Sequence, residues 1–232
     1  MLIRKSKPEF EAIGFDADDT LWENETLFDS VEKRFQALLK DYSANCAEEL
    51  LKIEQQNLEY YGYGIKGFIL SLIETSIKIS NRKIDNESIE EFLKLGKEML
   101  SNPIKVLPDV DNTLDFLSKN YALLLITKGD LLDQEKKINN SNLSKYFNHI
   151  EIVSEKNETT YIRILEKYNI NPRKFLMVGN SLKSDIIPVN NIGGKGIYIP
   201  FRLTWEHEKV KYTSEDFVEL KNFSCIRSWL AK

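Results

Sequence analysis

The sequence contains little cysteine. Only Cys46 and Cys225 occur among its 232 residues, and neither belongs to a CxxC pair or to a Cys/His spacing typical of structural zinc. The sequence therefore predicts neither a disulfide framework nor a zinc site of that kind, and so little cysteine favours a reducing compartment. We expect the protein to be cytoplasmic.

Long apolar runs and basic runs are also missing. No stretch approaches the roughly 20 apolar residues that a membrane-spanning helix needs, so we expect no membrane association. The first seven residues are basic, but Pro8, Glu9 and Glu11 follow where a secretory signal would need an apolar segment. Lys and Arg number 32 against 36 Asp and Glu, a formal net charge of −4. Because no basic run could neutralise a row of phosphates, we expect no nucleic-acid partner.

The remaining composition is that of a globular protein, with 42% hydrophobic and 29% charged residues. Its length allows one large domain, or a core with a smaller inserted domain. From about residue 26 to residue 102, apolar residues recur at three- and four-residue steps. This spacing predicts an all-helical insertion, with a break between helices at Gly62 and Gly64.

Short apolar runs on both sides of that insertion predict strands. They cover residues 12–15, 122–126, 150–153, 175–178 and 197–199. Because short buried strands joined by helices require right-handed crossovers, they form a parallel sheet covered on both faces. We therefore predict an α/β fold, whose ligands should bind beyond the carboxyl ends of the strands.

The most informative segment is Asp16-Ala17-Asp18-Asp19-Thr20, directly after the first predicted strand. Two carboxylates at positions i and i+2 can divide labour, because one can attack an electrophile while the other delivers or accepts a proton. A hard cation such as Mg²⁺ would bridge them and neutralise the local charge. The alternative is an acidic loop in which Asp19 or Thr20 caps a helix.

This segment resembles the first motif of the haloacid dehalogenase (HAD) superfamily, a strand followed by DxDxT. Three later segments resemble the other motifs of the superfamily in the expected order: a strand ending in Thr127, Lys156 in front of a helix, and a strand followed by Gly179-Asn180 and then Asp185. The resemblance covers essentially the whole chain. It implies a HAD-like Rossmannoid core with a parallel sheet plus a small all-helical cap domain of the C1 type. The core would comprise residues 1–21 and 105–232, and the cap residues 22–104.

The resemblance also implies roles for individual residues. Asp16 would attack phosphorus and form an aspartyl-phosphate, and Asp18 would protonate the leaving oxygen and then activate water. Thr127, Lys128 and Lys156 would bind the phosphoryl group. Lys156 would in addition balance the charge on the nucleophile, a role that suits a positioned ammonium.

Mg²⁺ would be held by Asp16, the Asp18 carbonyl group, Asn180 and Asp185. Here the sequence departs from the superfamily pattern, because Asn180 stands where the fourth motif usually has its first Asp. We therefore expect weaker Mg²⁺ binding rather than none, with Asp19 compensating in part for the missing charge.

Asp18 bears on the type of reaction. The alkoxide that leaves a phosphate ester needs a proton, whereas a leaving halide does not, so Asp18 favours a phosphatase over a 2-haloacid dehalogenase. The sequence therefore predicts a Mg²⁺-dependent phosphatase acting on a small phosphorylated metabolite. A phosphomutase, a dehalogenase-like hydrolase and a catalytically weak binding or regulatory protein of the same fold stay open as alternatives.

A cap of this kind would close over the strand ends, exclude water and select the leaving group. The candidates for residues facing the substrate are Trp22, Tyr61, Tyr63 and Lys66. The alternative for the tyrosines is a corner between helices packed on the core. The late segment at residues 200–207 carries Arg202, Trp205 and His207, and we expect it to pack an aromatic side chain against the core rather than to line the cleft.

Overall fold

The computed structural model describes residues 9–210 and 217–231, so the basic segment at residues 1–7 lies outside the described residues. Its centre is a six-stranded sheet in which every neighbouring pair of strands is parallel. The strands are β1 (Ala12–Phe15), β2 (Ala122–Lys128), β3 (His149–Val153), β4 (Phe175–Gly179), β5 (Lys195–Tyr198) and β6 (Phe217–Glu219). Their order is β3-β2-β1-β4-β5-β6. The predicted α/β fold with a parallel sheet is confirmed.

Five helices connect or flank strands β2 to β6 along the chain. They are α5 (Val110–Ser118), α6 (Leu131–Ser141), α7 (Glu158–Lys167), α8 (Ile187–Asn191) and α9 (Cys225–Leu230). One buried cluster holds Ile13 and Leu125 of the sheet with Leu114 of α5, and a second holds Leu124 with Ile164 of α7. Because neighbouring residues of one strand point to opposite faces, these clusters cover the two faces of the sheet.

Four helices form the insertion between β1 and α5. They are α1 (Glu25–Leu39), α2 (Cys46–Tyr61), α3 (Ile65–Ile79) and α4 (Asn86–Ser101). They bury an apolar cluster of their own, with Phe35, Leu72 and Phe92 fully inside it. The predicted break between α2 and α3 is confirmed, and both of its glycines have positive φ, 67° at Gly62 and 115° at Gly64.

Two short connections link the insertion to the sheet. Trp22 forms an antiparallel bridge with Val106, so the chain enters and leaves the insertion side by side. This arrangement places the helical cluster beyond the carboxyl ends of β1 and β2. Within the described ranges, none of the helices is both long and apolar enough to cross a bilayer.

Candidate active site

Asp16 directly follows the central strand β1 and is paired with Lys156. The Lys156 ammonium lies 2.5 Å from Asp16 Oδ1 and 2.8 Å from Asp185 Oδ1, and all three side chains are buried. The backbone positions Asp16, because its N–H donates to the carbonyl oxygen of Val178 in β4 at 2.9 Å. The ends of β1 and β4 and the start of α7 thus bring one cation between two carboxylates.

Local geometry explains how Asp185 reaches this point. Asp185 lies in a single π-helical turn, Leu182–Ile186, and the Ser181 N–H donates to its Oδ2 at 3.0 Å. Its carboxylate passes so close to Gly179 that a Cβ at that position would collide with it. Only glycine at the end of β4 therefore leaves room for Asp185 beside Lys156.

Burial and charge act in opposite directions on these groups. Burial raises the pKa of Asp16, and repulsion from Asp185 adds to this, while Lys156 lowers it. Burial would lower the pKa of Lys156, but the Asp16 and Asp185 carboxylates outweigh it and raise that pKa well above its usual value. Lys156 is therefore a charged ammonium at any physiological pH.

Three donors surround Asp18. The Trp22 indole donates to Oδ1 at 2.7 Å, Gln134 Nε2 donates to Oδ2 at 2.9 Å, and Lys137 Nζ lies 3.1 Å from Oδ1 and 3.2 Å from Oδ2. Gln134 and Lys137 are one turn apart on α6, and neither was predicted as a site residue from the sequence. Their position in the sequence could have indicated this role, because the first turns of a helix that follows a strand lie at the edge of the sheet where that strand ends.

Thr127 and Lys128 end the neighbouring strand β2. The Thr127 hydroxyl is buried and accepts a hydrogen bond from Gln134 Nε2 at 2.9 Å. The Lys128 ammonium lies 2.6 Å from Glu208 Oε1 and 4.0 Å from the centre of the Tyr63 ring. Both residues line the same cavity as Asp16 and Lys156.

The side-chain amide of Asn180 faces the first carboxylate. Its inward atom lies 3.2 Å from Asp16 Oδ2 and 3.2 Å from the carbonyl oxygen of Asp18. With its nitrogen inward the amide donates to both oxygens. With its oxygen inward, three oxygens converge, which is the donor set that a hard cation prefers.

The donor set fits Mg²⁺ better than a softer metal. Within residues 9–210 and 217–231 no group of three or more His, Cys, Asp or Glu side chains is arranged to hold a metal ion. A cation at this point would therefore depend in part on the amide and carbonyl oxygens of Asn180 and Asp18, which are hard ligands.

Asp19 does not take the compensating position expected from the sequence. Its carboxylate accepts hydrogen bonds from the backbone N–H groups of Asn24 and Glu25 at the start of α1, at 2.8 and 3.0 Å. Burial raises its pKa to about 8 despite these bonds. Asp19 therefore caps a helix, and it contributes little negative charge near Asn180 at neutral pH.

A cavity of about 190 Å³ opens above these groups, between the strand ends and the inserted helices. Of the four predicted cap residues, only Tyr63 lines it. Trp22 is wholly buried in the core, because its indole turns back to Asp18. Tyr61 is exposed, and Lys66 pairs with Asp130 at 2.9 Å outside the cavity. None of these three side chains lines the cavity, and their contact with a substrate stays a prediction.

The late loop also differs from expectation. Leu203, Thr204, Trp205 and Glu208 line the cavity, so the loop forms a wall of the cleft rather than packing only on the core. The Trp205 ring meets the Tyr63 ring edge to face, with centroids 6.1 Å apart. Sequence reasoning missed Glu208 altogether, because no periodicity or motif marks this segment.

Carboxylates of the insertion occupy the opposite wall of the cavity. Glu25, Glu32 and Glu54 all line it. Burial and mutual repulsion raise the pKa of Glu25 to about 7 and that of Glu54 to about 8, and burial raises that of Glu32. The cavity therefore has lysines at the strand ends and partly protonated carboxyl groups at the far end.

Comparisons with known proteins agree with this architecture. A family model for haloacid dehalogenase-like hydrolases matches residues 10–193. The chain is 37% identical to a solved haloacid dehalogenase-like family hydrolase from Xanthomonas campestris, covering 98% of this chain and 94% of that one at a TM-score of 0.87.

Two curated relatives are more distant. Glyceraldehyde 3-phosphate phosphatase from Pyrococcus furiosus is 25% identical over 209 residues, which cover 82% of this chain and 81% of that protein. N-acylneuraminate-9-phosphatase from Mus musculus is 28% identical over 156 residues, covering 65% of this chain and 63% of that protein. The family match includes all four motif segments, and the chain belongs to the haloacid dehalogenase-like hydrolases.

Proposed function

We propose that the protein is a Mg²⁺-dependent phosphatase that hydrolyses a small phosphorylated metabolite through an aspartyl-phosphate. The observation that carries this proposal is the pair of carboxylates at the end of β1, with Asp16 held by Lys156 and Asp18 held by three donors. A dehalogenase needs no acid at the position of Asp18, whereas an enzyme that hydrolyses a phosphate ester needs one to protonate the leaving oxygen. The two curated relatives, both named as phosphatases, support the same reaction class.

In the first step a carboxylate oxygen of Asp16 attacks phosphorus, and the bond from phosphorus to the ester oxygen breaks. Asp18 donates a proton to that oxygen, so the product leaves as an alcohol. In the second step water attacks phosphorus of the aspartyl-phosphate while Asp18 takes a proton of the water. The bond from phosphorus to the Asp16 oxygen breaks, which restores the Asp16 carboxylate and releases inorganic phosphate. Lys137 and Gln134 keep Asp18 directed at the cavity through both steps.

The phosphoryl group would be bound at the ends of the strands. Lys156 offsets the charge that develops on the transferring group, and Thr127 and the Lys128 backbone offer polar contacts beside it. Because Lys156 is fixed by two carboxylates before substrate arrives, its placement costs no reorganisation during the reaction.

Asp16, the Asp18 carbonyl group, Asn180 and Asp185 would hold the Mg²⁺ ion. When bound, the ion supplies Lewis-acid polarisation of the phosphoryl oxygens and neutralises negative charge. The convergence of the Asn180 amide with Asp16 Oδ2 and the Asp18 carbonyl oxygen supports this assignment. With an amide in place of a carboxylate, we expect the ion to bind more weakly than in a site with one more charge.

The four inserted helices would act as a cap domain over residues 22–104, with the core formed by residues 1–21 and 105–232. Tyr63 of the insertion and Trp205 of the late loop enclose the cavity above Lys128. A cavity of about 190 Å³ suits a small substrate. The half-buried carboxyl groups Glu25 and Glu54 would disfavour a leaving group with its own negative charge.

The test is hydrolysis of p-nitrophenyl phosphate with Mg²⁺ or with EDTA, comparing the wild type with Asp16→Asn and with the control Asp29→Asn. Asp29 lies on the surface of α1 and pairs with Lys33. We expect Mg²⁺-dependent turnover in the wild type and the control and none in Asp16→Asn. Halide release from 2-chloropropionate without metal would instead favour a dehalogenase, and tight phosphate binding without turnover would favour a binding protein.

A further inference from the structure

Glu208 is a mostly buried carboxylate in the loop after β5, and the proposed reaction does not use it. Its side chain is 12% exposed. Oε1 accepts a hydrogen bond from Lys128 Nζ at 2.6 Å, and Oε2 accepts from the hydroxyl groups of Ser181 at 2.5 Å and Ser184 at 2.7 Å. Both oxygens are thus engaged by three side chains that come from two other segments of the chain.

The two serines belong to the turn that carries Asn180 and Asp185. Ser181 directly follows Asn180, and its N–H holds Asp185 Oδ2 at 3.0 Å. Ser184 directly precedes Asp185, and its N–H donates to the Ser181 hydroxyl at 3.0 Å. A displacement of either serine would therefore move the side chains that face Asp16 and Lys156.

Lys128 completes the link on the other side. It ends β2 beside Thr127, and its ammonium donates to the Ser184 hydroxyl at 3.0 Å as well as to Glu208. A free lysine side chain has considerable rotamer entropy, so an ion pair with a fixed carboxylate preorganises it. Burial alone would raise the pKa of Glu208, but Lys128 and the serine hydroxyls lower it to about 2, so the carboxylate is charged at neutral pH.

We propose that Glu208 is a positioning residue of the active site, which holds the turn bearing Asn180 and Asp185 against the end of β2 and thereby sets the affinity for Mg²⁺. The identity of the cation rests on the proposed function. Residues that orient metal ligands typically change metal affinity or activity by about 10- to 100-fold when they are replaced. The loop that contains Glu208 thus supports the proposed metal ligands Asn180 and Asp185 and also forms part of the cavity wall.

A matched control lies two residues away. Glu206 begins the same short helical turn, but its side chain is 60% exposed and forms a surface ion pair with Lys209. Replacing Glu206 by Gln removes one carboxylate from the same loop without touching either serine. Glu208→Asp keeps the charge and shortens the side chain by one methylene group.

The experiment is calorimetric titration of the full-length, metal-free protein with MgCl₂ in the absence of substrate. We expect the Kd for Mg²⁺ to rise about tenfold or more in Glu208→Gln, to stay unchanged in Glu206→Gln, and to lie between these values in Glu208→Asp. Hydrogen exchange of residues 180–186 in the metal-free proteins should be faster in Glu208→Gln than in the wild type or in Glu206→Gln. If Glu208→Gln does not fold, Ser184→Ala tests the same link, with a rise in Kd in the same direction.

The outcomes separate this inference from the proposed function. Equal Kd values in Glu208→Gln and Glu206→Gln would overturn the role of Glu208 and leave the phosphatase assignment intact. A wild type that binds Mg²⁺ but hydrolyses no phosphomonoester would overturn the proposed function, while the comparison of variants still decides the role of Glu208. A wild type that shows no Mg²⁺ binding would overturn this inference, whatever the activity.

Discussion

Lys156 Nζ lies 2.5 Å from Asp16 Oδ1, and both side chains are buried. Lys156→Met would leave the Asp16 and Asp185 carboxylates without their shared cation. We expect kcat to fall about 10²- to 10³-fold, because the charge on the transferring group loses its partner. We also expect the free energy of unfolding to fall by about 3 kcal/mol, since removing one partner of a buried pair leaves an uncompensated charge. Phosphatase kinetics and urea unfolding measure the two effects.

The control for this variant is Lys167→Met. Lys167 ends α7, is 59% exposed and pairs with Glu151 on the surface. Exposed ion pairs contribute little to stability, so neither kcat nor the urea midpoint should change measurably. Equal losses in both variants would contradict the assignment of a special role to Lys156.

Asp18 and Lys137 should matter most when the leaving group is poor. An aryl oxygen leaves with little help, whereas an alkoxide must be protonated as it departs. We therefore expect Asp18→Asn to lower kcat/KM for an alkyl phosphate at least about tenfold more than for p-nitrophenyl phosphate. Lys137→Met should show the same preference with a smaller loss, because Lys137 acts on the reaction through its contact with Asp18.

Lys136→Met is the matched control for that comparison, since Lys136 is the exposed neighbour of Lys137 on α6. Its kcat/KM should equal that of the wild type on both esters. If Lys137→Met lost the same factor on alkyl and aryl substrates, its contact with Asp18 would have no part in proton transfer.

The sequence was sufficient to predict five of the six described strands and the polar residues that follow them. Apolar runs that end in polar residues marked β1, β2 and β4, and parallel strands bring their carboxyl ends to one edge. Asp16, Thr127 and Lys156 therefore meet in one cavity, as expected from the motifs. The strand β6 was not predicted, because its three residues form no apolar run distinguishable from a loop.

Side chains that depend on tight turns or distant loops could not be predicted in this way. Trp22 follows the nucleophile loop in sequence, but the turn there joins the Asp19 N–H to the Trp22 carbonyl oxygen at 2.7 Å and directs the indole into the core. Glu208 lies 27 residues after Ser181, and only the folded loop brings the two within 2.5 Å. Such contacts depend on the three-dimensional path of the loops, which hydrophobic periodicity does not record.

Asn180→Asp should change metal binding and stability in opposite directions. The new carboxylate would lie about 3.2 Å from Asp16 Oδ2, the distance of the present amide atom. Because one more charge strengthens a Mg²⁺ site, we expect the Kd for Mg²⁺ to fall about tenfold. In EDTA the same charge repels Asp16, so the free energy of unfolding should fall by about 1 to 2 kcal/mol. An unchanged Kd would argue against Asn180 as part of the cation site.

Glu54 should make the metal-free protein less stable as the pH rises. Burial, with repulsion from Glu32 and Glu25, raises its pKa from the ordinary 4.5 to about 8 in the folded protein. The unfolded chain then loses its proton first, so folding is penalised increasingly between about pH 4.5 and pH 8 and by a constant amount above that. Glu54→Gln removes the penalty, and its stabilising effect should grow across this window.

We expect Glu54→Gln to raise the free energy of unfolding by on the order of 1 kcal/mol at pH 8.5 and by much less at pH 5. Urea unfolding in EDTA at pH 5, 7 and 8.5 measures this, with Glu59→Gln as the control because Glu59 is exposed on the same helix α2. The control should follow the wild type at all three pH values, because it keeps Glu54. A constant difference between Glu54→Gln and the wild type at all three pH values would mean that the pKa of Glu54 is not raised, and Glu54 would then be charged at neutral pH.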